Sequence, residues 1–217
     1  MAQGCTGIAV PPENWQIQHL HFLLKPMLIS KSCVVIVFGA LPLLVQADQT
    51  SEASALASQM IQQLGAALKK EIAASGPDGA VTVCRDLAPA IAGELSRKFG
   101  GRVTRVSLKI RNPLLGTPDA WEQQVLVEFD RRAAAGEKIE SLEYSDSVDE
   151  PRGRYFRYMK AIPVQPLCLS CHGAGGNVSD QVRARLAIEY PHDNATGYEL
   201  GQVRGAITIK HPIGTAQ

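Results

Sequence analysis

The sequence predicts an α+β fold, an antiparallel sheet with helices packed against one face. Three observations carry this expectation. Two long stretches with helical apolar spacing open the region after residue 48, and most segments with strand-like alternation follow later in the chain. Few helices stand between successive strands in the manner that parallel crossovers require. With 217 residues, one good core is affordable and a single domain is expected. At 45% apolar, 20% charged and a net charge of +1, nothing electrostatic points to a nucleic-acid partner.

Residues 1–47 are expected to lie outside that domain. Lys31 precedes a continuous apolar run from Cys33 to Val45, and Val45-Gln46-Ala47 places small residues where a signal peptidase reads. The spacing predicts cleavage between Ala47 and Asp48. A membrane anchor is the competing reading, but crossing a bilayer takes about 20 apolar residues. This run is shorter and holds Pro42. The segment before it is long for an n-region and contains Glu13, so Met27 makes a more ordinary start and residues 1–26 are set aside as an extension. Cys5, His19 and His21 go with it; two histidines without further ligands are a poor metal site. The working protein is then 48–217, exported to the periplasm, with no membrane span in the mature chain and three cysteines: Cys84, Cys168 and Cys171.

The elements follow in order. Residues 50–76 read as an amphipathic helix, with Leu56, Met60, Leu64 and Leu68 four apart and Gly76 and the "PDG" turn to end it. In "AVTVCRDLAPAIAGELSRKFGG", Val81, Cys84, Ala88, Ile91 and Leu95 share one helical face, and Pro89 should kink or divide the helix. "RVTRVSLKI" alternates as a strand and "RNPLLGTPDA" is a loop. Asp119 can cap a helix whose Trp121, Val125, Leu126 and Phe129 face inward. "KIESLEYS" and "RYFRYMKAIPV" are two strands joined by the acidic turn "DSVDEPRG". A short helix over "VSDQVRARLAIEY", the loop "PHDNATGYELG" and the strand "QVRGAITIKHP" complete the chain.

Chemistry concentrates in "PLCLSCHGAGG", residues 166–176. A redox dithiol normally opens a helix, which Gly173, Gly175 and Gly176 disfavour. A zinc site needs about four ligands, and no second CxxC is present. A disulfide across a two-residue spacer closes too small a ring to stabilise much. The remaining reading is covalent attachment of one haem c. Two thiols add to the two vinyl groups on one porphyrin edge, so they must lie within one turn of each other. Cys168 and Cys171 satisfy this, and His172 then falls under the iron as an axial ligand. Export agrees with such attachment. The glycines after His172 are expected to let the chain leave the haem face without a clash.

The second axial position has several candidates. Met60 and Met159 are available, as are His192 and His211. Met60 belongs to a core stripe, Met159 to a strand near the haem segment, and both histidines to loop or strand-end positions. Cys84 has two readings of equal weight, a small buried hydrophobe or a thiolate on the iron with Arg85 helping to balance its charge.

At this point the chain resembles the PAS-like, single-haem c-type domains of bacterial periplasms, long described as a domain of unknown function. Members stand alone after a signal peptide or form sensor ectodomains of histidine kinases. The resemblance rests on "AVTVCRDLAPAIA", "RVTRVSLKIRNP", "PDAWE", "YFRYMKAIPVQPLCLSCHG" and "YPHDNATGYELGQVRGAITI", across nearly all of 50–212. It implies a PAS-like fold, haem on Cys168 and Cys171, His172 as proximal ligand and Cys84 on the distal side. One departure is "RNPLLGTPD", a residue longer than the family's loop and carrying Leu115.

The function expected is sensing of redox state or of a small diatomic ligand, through a redox partner or a separate signalling chain. The alternative is a simple c-type electron carrier. An enzyme such as a peroxidase would need an acid–base group at an open distal site, and no candidate is evident.

Overall fold

The computed structural model describes residues 41–214, with side chains from residue 48. The extension, the apolar run, Cys5, Cys33, His19 and His21 lie outside the described side chains. Among the described residues, no helix is long and apolar enough to cross a membrane.

Helix α1 (Leu41–Gly79) bends at Gly76, whose φ of 77° only glycine adopts without strain. The next residue, Pro77, restarts the helix at a position where its missing N–H costs nothing. A π-helical turn, Val83–Leu87, then leads into α2 (Ala88–Phe99), with Pro89 in the first turn of α2. The expected division near this proline is therefore present, but in the form of an extra residue in the turn that carries Cys84.

Strand β1 covers Arg102–Val106 only, so "SLKI" leaves the sheet. The loop after it contains one short turn of helix, α3 (Pro113–Gly116). Helix α4 (Ala120–Ala134) opens with a reciprocal cap: Glu122 N–H donates to Asp119 Oδ1 and Asp119 N–H to Glu122 Oε2, each at 2.9 Å. Strand β2 (Glu143–Glu150) runs through most of the expected acidic turn, because Ser145–Asp149 pair with Arg154–Tyr158 of β3 (Gly153–Pro163). The "KIES" end of the expected strand is a 3-10 turn, Ile139–Ser141. After β3 come α5 (Pro166–His172), α6 (Asp180–Glu189) and β4 (Val203–Gly214).

All four strands are antiparallel, in the order β1-β4-β3-β2. Strand alternation sorts the side chains onto two faces. Val103, Phe156, Tyr158, Ile207 and Ile209 meet Met60, Ile91 and Leu95 of α1 and α2. Val106, Met159, Ala161 and Ala206 meet Val125, Leu126 and Phe129 of α4. Helices thus cover both faces of the sheet, where the sequence pattern placed them on one. The α4 face also buries an ion network: Arg157, 2% exposed, pairs with Glu122 at 3.1 Å and with Asp119 at 2.7 Å. Phe129 is fully buried at the centre of the α4 cluster. Phe129→Ala is expected to cost about 3–5 kcal/mol, read as a lower thermal or urea midpoint with the cavity face intact.

Candidate functional site

A cavity of about 500 Å³ opens between α1, the π-helical turn, β1, β4 and α5. That is ample for a cofactor-sized group. Its apolar wall includes Met60, Leu64, Ala88, Ile162 and Ile207, and the same walls contain Cys84, Cys168, Cys171 and His172. Two chain segments far apart in sequence, the π-helical turn and α5, therefore bring the expected thiols and imidazole to one space.

Cys168 and Cys171 stand three residues apart on α5 and so share a helix face. Both are free thiols and partly buried, as is Cys84. Gln165 N–H donates to Cys168 Sγ at 3.4 Å, and Cys171 Sγ donates to the Pro77 carbonyl at 3.8 Å, just past the bend in α1. Burial pushes the Cys171 thiol up, with Arg111 working against it. A redox dithiol needs the opposite, a depressed thiol.

His172 ends α5. Its Nδ1–H donates to the Ala195 carbonyl at 2.7 Å, which leaves Nε2 as the nitrogen with a lone pair. Arg111 Nη1 lies 3.4 Å from Nε2. Burial, with the Arg204 and Arg111 charges, holds the imidazole well below its ordinary range. A neutral ring with its lone pair on Nε2 is the form that binds a metal, and Arg111 Nη1 holds that place here. The chain then turns away at Gly173, where a Cβ would lie 2.6 Å from the Leu169 carbonyl oxygen and 2.8 Å from Asn177 Cβ. Gly175 and Gly176 have nothing within 4 Å of that position, so the steric demand for glycine falls on Gly173 alone.

The polar side of the cavity is cationic. Arg105, Arg111 and Arg204 line it, and among the described residues no aspartate or glutamate does. Arg204 donates from Nη1 to Ser107 Oγ at 2.9 Å, while its buried Nε has no hydrogen-bond partner among the described residues. Burial lowers the Arg204 pKa, a desolvation that an anion would offset. Haem, a large apolar plate with two carboxylates, fits this division into an apolar wall and an arginine whose Nε lacks a partner. Cys168 and Cys171 could hold it covalently, with His172 Nε2 on the iron.

The distal candidates separate clearly. Cys84 and Met60 line the cavity. Met159 is fully buried on the opposite face of the sheet, among the α4 contacts. His192 is exposed, and His211 stacks on Phe99 with ring centroids 5.0 Å apart. Arg85 does not serve Cys84: it points outward to Asp86 at 2.7 Å and to Glu189. The departing loop does border the site, since Leu115 lines the cavity at 51% exposure. Arg111 and Asp193 carry no sequence signal of their own beyond lying in "RNP" and "YPHD", whereas Arg204 ends the tyrosine–glycine–arginine pattern of "YELGQVR".

A family model described as Tll0287-like matches residues 44–212. Among solved structures, the chain is similar to the crystal structure of the cyanobacterial haem protein Tll0287, with 25% identity and a TM-score of 0.58. That similarity covers 78% of this chain and 98% of the other. No curated protein matches the chain significantly.

Proposed function

The chain belongs to the Tll0287-like family, and on that premise we propose that it is a c-type haem protein of the periplasm that senses redox state or a small diatomic ligand. The observation that carries the reading is the joint placement of Cys168, Cys171, His172 and Cys84 around one apolar cavity with a cationic side. Haem, when bound, supplies a one-electron centre whose iron takes two axial ligands. Cys168 and Cys171 would hold the group covalently. His172 would offer Nε2 to the iron, its other nitrogen being tied to the Ala195 carbonyl. Arg204 offers its unpaired Nε to a propionate.

Cys84 decides between sensing and plain electron transfer. As a thiolate ligand it would lower the reduction potential, and its release on reduction would turn an electron into a change of shape. A redox partner or separate signalling chain would read that change. The second reading, a simple electron carrier, is favoured by Met60, which lines the same cavity and would keep a permanent methionine ligand.

Absorption spectra of the oxidised and reduced protein, with and without CO, separate the two. The expected result is CO binding only after reduction. A reduced protein that keeps its spectrum under CO would remove the sensing role and leave the carrier.

A further inference from the structure

We infer that Asp193 and Arg111 are positioning residues for His172, setting how strongly its imidazole donates to the iron; this rests on the haem reading above. Five contacts form a closed circuit, and Arg111 Nη1 also lies 3.4 Å from His172 Nε2, a place it yields when iron is bound. His172 Nδ1–H donates to Ala195 O at 2.7 Å. Ala195 N–H donates to Asp193 Oδ1 at 2.8 Å. Asp193 Oδ2 accepts from Arg111 Nε at 3.1 Å. Arg111 Nη2 donates to the carbonyl of Cys171, the residue before His172, and to Ala195 O at 3.3 Å. The circuit therefore leaves the imidazole and returns to its own backbone.

Its far side is screened from water: Ala195 is fully buried, and the Arg111 and Asp193 side chains are 8% and 11% exposed, while His172 is half-buried against the cavity. The loop is pinned nearby by Asn194 N–H to Ile110 O at 2.8 Å and by Tyr198 N–H to His172 O at 2.9 Å.

A ligating histidine whose second N–H meets a fixed carbonyl is oriented and made more basic by it. Here the carbonyl belongs to a loop with no regular structure, and a carboxylate fixes its position. Asp193 uses one oxygen for the loop backbone and the other for the arginine, so neither can shift without the other. Arg111 has a second effect. It shares Ala195 O with His172 and draws electron density from that acceptor, so the two donors are in balance. A lysine cannot reproduce that fork, because it lacks the paired N–H groups that bridge a carboxylate and two carbonyls.

The test compares Asp193→Ala with Asp193→Asn in the full haem-loaded protein. Both lose the negative charge, and only asparagine keeps an oxygen for Ala195 N–H. Haem content is measured first on wild type by peroxidase staining after denaturing electrophoresis. Absence of haem there overturns the haem reading, which separates that failure from failure of this inference. With haem present, the reduction potential and the exchange rate of the His172 Nδ1 proton are measured, the latter by NMR in deuterium oxide. Asp193→Ala is expected to have a higher potential than Asp193→Asn and at least tenfold faster Nδ1 exchange. Equal potentials and equal exchange rates would overturn the assignment, even if Asp193→Ala melts at lower temperature, since a merely structural role predicts just that. Arg111→Lys keeps the charge and covers the case in which Asp193→Ala does not accumulate. Faster Nδ1 exchange than wild type supports the role of Arg111, and an unchanged rate overturns it.

Discussion

Cys168→Ala/Cys171→Ala is expected to lose all covalently held haem, read as disappearance of the peroxidase stain on a denaturing gel. Each single variant should lose most of it. The reason is geometric. The two thiols lie on one face of α5, and both border the cavity beside His172. A porphyrin edge presents two attachment points, so removing one thiol leaves the plate poorly held against the other while its bond forms, and little attachment is completed. The double variant retains His172 and the cationic wall and can still take haem reversibly, so its native absorption spectrum should survive in part while the denatured stain does not. Alanine at these positions removes only partly buried sulfur, so the fold should persist. Wild-type protein without stain after export would end the case for attachment.

Cys84→Ser is expected to change the oxidised spectrum and to raise the reduction potential by on the order of 0.1 V, within the roughly 0.8 V that axial ligands command. Serine keeps the size and the backbone turn but is a far weaker ligand for ferric iron than a thiolate. The π-helical turn at Val83–Leu87 strengthens the expectation, since such turns cluster at functional sites and re-aim one side chain by a single residue. Met60→Leu is the control: it preserves the apolar packing of α1 and removes the only competing sulfur that reaches the cavity among the described residues. An unaltered spectrum in Cys84→Ser together with a shifted one in Met60→Leu would transfer the distal role to methionine.

Much of this architecture was legible because it is local. Asp119 and Glu122 are three residues apart, and that spacing alone announces the cap of α4. Val81, Ala88, Ile91 and Leu95 declare a buried face by period, and all four are buried. The Cys168–His172 motif is five residues long and needs no tertiary knowledge. What was not legible depends on distance in the chain. The extension of β2 through the acidic stretch follows from its pairing with β3, which overrides a turn-like composition. The placement of helices on both faces follows from α4 packing on alternate residues of β3 and β4. Arg111 and Asp193 are separated by 82 positions, and either alone reads as an ordinary solvated charge. Arg85 looked like a partner for Cys84 because it is adjacent, yet successive helical side chains point in different directions.

The sheet order has a consequence for the timing of assembly. Strand β4, the last described, is not at an edge but lies between β1 and β3. Val103 pairs with Ile209, so β1 waits for more than a hundred residues of chain before it gains a neighbour. During synthesis from the N-terminus, Cys84, Cys168, Cys171 and His172 all emerge while the sheet still has a gap at its centre. Arg204 and Ile207, which wall the cavity, arrive with the strand that fills that gap. The β4 wall is therefore the last part of the cavity to form.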